Sequence, residues 1–319
     1  MSKRVLVTGS SGYLGRVLVE SLLRHPLVDV VVGVDVAPAA ITDPKFKARP
    51  ADIRDEFLMR SVLEEEAIDT IFHLAFVMGE PRDEAKARAV NVGGTINVLE
   101  AANKSSTVKK LILSASASAY GARAGNPSSL REEDPLRADT LRYGIHKRLV
   151  EEELARALPS ARKSLQVVVL RICTIVGESP RGDGPVATFC RLPVGVSVLF
   201  RKGGLQFIGE DDLMRIMHRV MESPELRGVF NVAPDDFTTL DELCKALGKP
   251  RIPVPYSALW LAFFLMRRLG GRSDLTEKVV SYLAYPAVMS NAKIKKALGI
   301  RFPKGSLEAF LACAKTLKA

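Results

Sequence analysis

The chain has 319 residues, 47% of them hydrophobic and 26% charged, which excludes wholesale disorder and leaves room for one large domain or two lobes. Formal net charge is +10, yet Lys and Arg are spread along the chain without aromatic interleaving, a recognition helix or zinc-finger spacing, so no nucleic-acid partner is expected. Cys173, Cys190, Cys244 and Cys313 lack metal-ligand spacing and read as reduced, buried thiols of a cytoplasmic protein, with no metal.

Met1-Ser2-Lys3-Arg4 runs directly into an apolar strand instead of a secretory cleavage site. Strands are predicted at Arg4–Thr8, Val30–Val34, Thr70–Leu74, Lys110–Ser114 and Gln166–Leu170, with a helix over Tyr13–Arg24 between the first two. The runs are almost continuously apolar, as parallel strands covered on both faces must be. Alternation of such strands with helices predicts an α/β fold with a Rossmann-type doubly wound parallel sheet. Glu178–Pro193 reads as loop, Leu205–Ile208 and Val229–Val232 as further strands, and the chain from Thr238 as mostly helical with a Pro-rich linker at Pro250–Pro255. This divides the chain into a cofactor-binding domain of residues 1–175 plus 205–233 and a smaller, mostly helical substrate lobe of 176–204 plus 234–319. The apolar run Ala258–Met266, with Trp260, Phe263 and Phe264, is nine residues long, far short of the ~20 that span a bilayer. Arg267 and Arg268 follow it, so contact with a membrane surface is one reading; a buried helix or a dimer contact is the commoner fate.

Thr8-Gly9-Ser10-Ser11-Gly12-Tyr13-Leu14-Gly15 follows a predicted strand and opens a predicted helix. Glycines there let the backbone turn tightly and approach a ligand, and a helix amino terminus offers N–H groups to a pyrophosphate. Gly9, Gly12, Tyr13, Leu14 and Gly15 are therefore expected to bind a dinucleotide. Asp35 ends the second strand, 20 residues after Gly15. An acid there accepts from the adenosine ribose hydroxyls and repels a 2′-phosphate, which favours NAD over NADP. Asp52 and Ile53 are placed beside the adenine. Tyr143 and Lys147 lie four apart at the start of a helix running to about Leu158, on one face. A phenol is a poor base at neutral pH, and a neighbouring ammonium favours its ionised form. Ser116, after the fourth strand, is positioned to orient a substrate oxygen.

With these motifs in hand, the chain resembles the extended short-chain dehydrogenases/reductases, the NAD-dependent epimerase/dehydratase type. The resemblance rests on Thr8–Gly15, Asp35, Asp52-Ile53, His73-Leu74-Ala75, Asn91–Thr95, Ser114–Gly121, Tyr143/Lys147, Leu170-Arg171, Asp211–Leu213, Val229–Ala233 and Ser290–Ile294. It implies Ser116 as the catalytic serine, Tyr143 as acid/base and Lys147 as its partner and a ribose ligand. It implies Leu74 and Ala75 as cofactor-lining residues, Asn91 as support for the site, a small-molecule substrate and a homodimer. His73 is carried in the family without catalytic use, and His146 lies off the Tyr143/Lys147 face.

Three departures bear on the reaction. Ala117 and Ser118 stand where family dehydratases resemble one another in an Asp-Glu pair, so elimination of water is not expected. Thr174 replaces the Asn common in sugar-nucleotide members, which puts such a substrate in doubt, although Arg191 or Arg201 would suit a phosphate. Phe76-Val77-Met78 and the Trp260 segment are apolar, which suits a lipophilic alcohol or ketone if they face the pocket and core packing if they do not. Three readings follow: an epimerase, a simple dehydrogenase or reductase, and a redox-inert NAD(P)-sensing regulator. Retention of Ser116, Tyr143 and Lys147 together argues against the last.

Overall fold

The computed structural model describes residues 2–39, 41–78, 83–177, 185–201, 203–269 and 277–317. Its strands are, in chain order, β1 (Lys3–Thr8), β2 (Val28–Asp35), β3 (Phe46–Pro50), β4 (Thr70–His73), β5 (Lys110–Ser116), β6 (Gln166–Ile172), β7 (Thr174–Val176), β8 (Gly195–Val198), β9 (Phe207–Gly209), β10 (Gly228–Val232) and β11 (Arg251–Val254). Seven of them form one parallel sheet in the order β10-β6-β5-β4-β1-β2-β3. Strand order reverses between β1 and β4, which are hydrogen-bonded neighbours with Thr8 paired to His73. In open α/β sheets a ligand sits beyond the carboxyl ends of the strands at such a switch point. The residues that follow β1 and β4 are the glycine run and Leu74-Ala75.

The chain divides into two compact units, residues 1–115, 149–170 and 214–230, and residues 116–148, 171–213 and 231–319. The first unit buries Leu6, Val32, Ile71, Leu111 and Val169 of the sheet against helices Glu56–Glu65 and Gly94–Lys104 through Met59, Leu63, Val98 and Leu99. Each such side chain contributes about 1.5–3 kcal/mol of burial. The second unit holds two two-stranded parallel pairs, β7–β9 and β8–β11. One core there joins Val176, Phe207, Leu243 and Phe310; another joins Val198, Leu259, Val280 and Ala284. All four cysteines are free and buried.

Two expectations are corrected and a third is narrowed. Of the expected loop 178–193, residues 178–184 lie outside the described residues, but Pro185–Arg191 is a helix; proline suits a first helical position, where no N–H is needed. The Pro250–Pro255 linker contains strand β11. Pro250 and Val254 offer their carbonyls to Gly195 and Leu199 of the β8 segment, so Pro253 points its nitrogen away from the pairing, as an edge proline must. The Trp260 segment is a helix, Tyr256–Arg268, but not a buried one: Leu259 is 4% exposed, whereas Trp260 and Leu261 are 39% and 49% exposed.

Candidate active site

β1 ends at Thr8 and the chain turns at Gly9, whose φ of +72° is the left-handed region open to glycine. A Cβ on Gly9 would lie 2.7 Å from the Ala75 nitrogen, and one on Gly15 would lie 2.0 Å from the Gly9 carbonyl oxygen. The turn is thus pressed between the β4 exit and the first helix, Tyr13–Leu23. That helix starts after Gly12 with no side-chain cap and no acid in its first turn. Bare, acid-free helix starts suit an anion, and the glycines leave room for one at the backbone. Asp35 closes the cradle: its Oδ2 accepts from the Ser11 N–H at 3.0 Å and its Oδ1 from the Ala37 N–H at 2.9 Å. The carboxylate therefore fixes the glycine turn while retaining lone pairs for hydroxyl donors.

Thr8 Oγ1 accepts from the amides of Leu74 and Ala75, both at 3.2 Å, and lies 2.8 Å from His73 Nδ1. The other nitrogen of His73 is 2.9 Å from Thr95 Oγ1, which donates to the Asn91 carbonyl at 2.6 Å. With that proton committed, Nε2 is placed to donate to Thr95. His73 is thus a buried tie between strand end and helix. Asn91 sits in a π-helical turn, Ala89–Gly93. Its side chain accepts from the Val77 N–H at 2.7 Å and donates to the Val77 carbonyl at 3.0 Å, which clamps the segment leaving Ala75. Ile53 is buried, and its side chain meets the Gly94 backbone where a Cβ would be 2.5 Å away. The Asp52 carboxylate is gripped by the Arg54 guanidinium at 2.6–3.0 Å, which holds it below the usual carboxylate range.

In the second unit, Ser116 ends β5. Its Oγ accepts from the Ser118 hydroxyl at 2.9 Å and the Ser118 N–H at 3.2 Å, which leaves its own proton to give away. Helix Arg142–Ala157 carries both Tyr143 and Lys147. The Lys147 ammonium lies 5.7 Å from the centre of the Tyr143 ring and is 5% exposed. Gly144 makes the approach to the serine turn possible: a Cβ there would lie 2.6 Å from the Ser118 carbonyl oxygen. That same oxygen accepts from the Tyr282 hydroxyl at 3.1 Å. The structure thus gathers the Ser116 turn and the Tyr143/Lys147 helix in one unit. Gly144 and Tyr282 were missed as supports; the signal for Gly144 was a glycine inside a helix, where it costs about 1 kcal/mol unless close contact demands it.

The profile of the NAD dependent epimerase/dehydratase family matches residues 5–233. The chain belongs to that family. Its cofactor is NAD, and the glycine cradle and Asp35 fit that group. An uncharacterized protein of Mycobacterium tuberculosis is 27% identical over 97% of this chain and 82% of its own length. A UDP-glucose 4-epimerase of Lactobacillus helveticus is 32% identical over 56% of this chain and 54% of that enzyme. Among solved structures, the Bordetella bronchiseptica enzyme WbmG in complex with NAD is 20% identical with a TM-score of 0.77, covering 100% of this chain and 94% of that one. The UDP-glucose 4-epimerase of Thermotoga maritima with UDP-glucose is 22% identical with a TM-score of 0.75, covering 99% and 98%.

Three further motifs of the epimerase/dehydratase resemblance converge on one buried phenol. Arg171 donates to the Tyr120 hydroxyl at 2.6 Å and stacks on its ring at 4.8 Å, while the hydroxyl lies 2.8 Å from Asn231 Oδ1 and 2.9 Å from the Arg131 carbonyl. Burial pushes this phenol up to about 12 despite Arg171. Tyr120 is therefore a structural tie, unsuited to proton transfer at neutral pH. Thr174 is exposed at the start of β7, Phe76 packs against the first-unit core, and Val77 and Met78 are 38% and 52% exposed. Arg201 stacks on the Tyr285 ring at 4.9 Å. No helix among the described residues is long and apolar enough to cross a membrane.

Proposed function

We propose that the chain is an NAD-dependent oxidoreductase that interconverts a secondary alcohol and its ketone, with Tyr143 as the acid/base. The observation that carries this is the Lys147 ammonium beside the Tyr143 ring, on a helix whose Gly144 touches the turn that follows Ser116. NAD, when bound, supplies the hydride acceptor and donor. In the oxidising direction the Tyr143 phenolate takes the hydroxyl proton as the carbon loses hydride; in the reducing direction the phenol returns it to the carbonyl oxygen. A buried positive charge at Lys147 favours the phenolate. Ser116 Oγ, with its proton unspent, donates to the substrate oxygen and fixes its place. Such positioned acid–base groups contribute about 10²–10⁴ in rate. On the cofactor side, Gly9, Gly12, Tyr13, Leu14 and Gly15 would hold the pyrophosphate, Asp35 the adenosine ribose and Lys147 the nicotinamide ribose. Leu74, Ala75 and Asn91 would line and support the site, with Asp52 and Ile53 near the adenine.

Epimerase chemistry is the leading form of this reading, and a dehydratase is disfavoured because Ala117 and Ser118 offer neither acid nor base. A dehydrogenase or reductase of a lipophilic substrate is the second form, favoured by Thr174 and by the exposed Val77 and Met78. The two forms are separated by denaturing the purified protein and weighing the released nucleotide by mass spectrometry. An epimerase regenerates its cofactor each cycle, so stoichiometric NAD that persists through dialysis supports it. A site that empties on dialysis, with steady turnover of added NAD by an alcohol, supports a dehydrogenase. Recovery of NADP would overturn the role given to Asp35.

A further inference from the structure

The helix Tyr256–Arg268 is apolar on nearly its whole circumference. Tyr256, Leu259 and Phe263 face the small core around Val198, Val280 and Ala284. On the other side Trp260, Leu261, Leu265 and Met266 are exposed by 38–49%, and Leu269, just past the end, by 86%. Helices that are hydrophobic all round are normally buried, and an exposed patch of this kind marks an interaction surface. Beside the start of the helix, the Leu199 N–H donates to the Val254 carbonyl and the next residue, Phe200, is 95% exposed. Phe200 also has a φ of +59°, a strained conformation for a bulky side chain, and such strain collects at functional positions. A phenyl ring is thus presented to the exterior at the end of β8, and the Val254 residue of β11 leads within two residues into the exposed helix.

Charge points to the occupant. The bases of this protein are spread along the chain, but the acids are not. Residues 184–209 and 243–273, which carry β8, β11 and this helix, contain nine Lys and Arg and no Asp or Glu; the rest of the chain has 37 bases against 36 acids. Nearly the whole net charge of +10 therefore belongs to these two stretches. Arg201 is held by stacking on Tyr285 at 4.9 Å and Arg268 by stacking on Phe264 at 5.3 Å, while Arg251 is paired with Asp241. Trp and Phe on an apolar face, Arg at its rim and no carboxylate in the segment are the chemistry of a helix lying in a lipid–water boundary. At 13 residues the helix is about 20 Å long, too short to cross a ~30 Å hydrocarbon layer.

We propose that the outer face of Tyr256–Arg268, together with Phe200, docks this protein in the plane of an anionic lipid bilayer. The docking depends on both terms: apolar side chains entering the acyl boundary and cations held against acidic headgroups, each cation contributing about a fivefold gain in partitioning. None of its residues belongs to the glycine cradle or the Tyr143 set.

Trp260 is the single tryptophan in the chain, so tryptophan emission, excited selectively over tyrosine, reports on this face alone. The protein is mixed with vesicles of phosphatidylcholine and phosphatidylglycerol, and separately with vesicles of phosphatidylcholine alone. The expected result is a blue shift of Trp260 emission and co-flotation with the anionic vesicles, quenching by brominated acyl chains, and loss of binding in high salt. A Leu261→Gln/Leu265→Gln double variant, altered only at exposed positions, should melt like the parent and partition on the order of 100-fold more weakly. Absence of both shift and flotation would overturn the proposal. So would flotation without a change in Trp260 emission, which would put the contact elsewhere. A blue shift that grows with protein concentration and needs no vesicles would also overturn it, in favour of a second copy covering the face.

Discussion

Replacing Gly15 by alanine tests the cradle where its geometry is tightest. The added Cβ would fall 2.0 Å from the Gly9 carbonyl oxygen, against an ordinary carbon–oxygen contact of about 3.3 Å, so roughly 1.3 Å must be found. The turn cannot retreat: the Gly9 N–H is bonded to the Val34 carbonyl at 2.8 Å, the Gly9 oxygen accepts from the Gly12 N–H at 3.1 Å, and the far side of Gly9 abuts Ala75. The helix start must move instead. Overpacking of this kind costs about 1–3 kcal/mol, while alanine returns about 1 kcal/mol of helix propensity. The net loss of about 0–2 kcal/mol lowers the melting temperature by at most a few degrees. Cofactor binding should suffer more, because each N–H bond to a charged oxygen contributes about 1.5–3 kcal/mol, and an ångström of displacement removes one or two. NAD affinity measured by calorimetry is therefore expected to fall about 10²-fold. Gly125→Ala, where an added Cβ meets nothing within 4 Å, is the control and should change neither quantity. If Gly15→Ala bound NAD as tightly as the parent and melted no lower, the pyrophosphate would not rest on this helix start.

Tyr120→Phe removes a hydroxyl that Arg171, Asn231 and the Arg131 carbonyl all use, so thermal melting should show a loss of about 1–3 kcal/mol with the bound nucleotide unchanged. His218 is held low, at about 4, by burial first and by its neighbour His25 second. The unfolded chain therefore binds the extra proton first, and stability present at neutral pH is lost as pH falls from about 6.5 toward 4; chemical denaturation across that window should show a slope that a His218→Gln variant lacks. Asp35→Ala should weaken NAD at least ~10-fold and narrow its advantage over NADP, since both the ribose acceptor and the brace on Ser11 are lost; titration with the two nucleotides checks it.

Much of the first unit was legible because its strands are buried on both faces and so spell themselves out as apolar runs. The glycine motif was legible because its spacing reflects local backbone geometry. What escaped depends on partners remote in sequence. β3, β7, β8 and β11 are three to five residues long, too short for a period, and β11 hides behind Pro253. The helix Pro185–Arg191 is seven residues long and opens on proline, which reads equally well as a break. The Asn91 clamp on Val77 and the role of Gly144 involve atoms 14 residues and 26 residues away along the chain. For the Trp260 helix the sequence left a buried face, a dimer contact and a membrane surface open, because hydrophobicity says that something covers a face without saying what.

The central claim is that Tyr143 moves the proton. Its most direct test is Tyr143→Phe, which removes one oxygen from the ring beside Lys147. Secondary alcohols, nucleotide sugars among them, are screened with the parent protein for reduction of NAD, and the best substrate is used for both proteins in single-turnover measurements of nicotinamide absorbance. The variant should fold, keep its NAD and lose about 10²–10⁴ in rate. A variant that reduced NAD at the parent rate would contradict the role given to Tyr143.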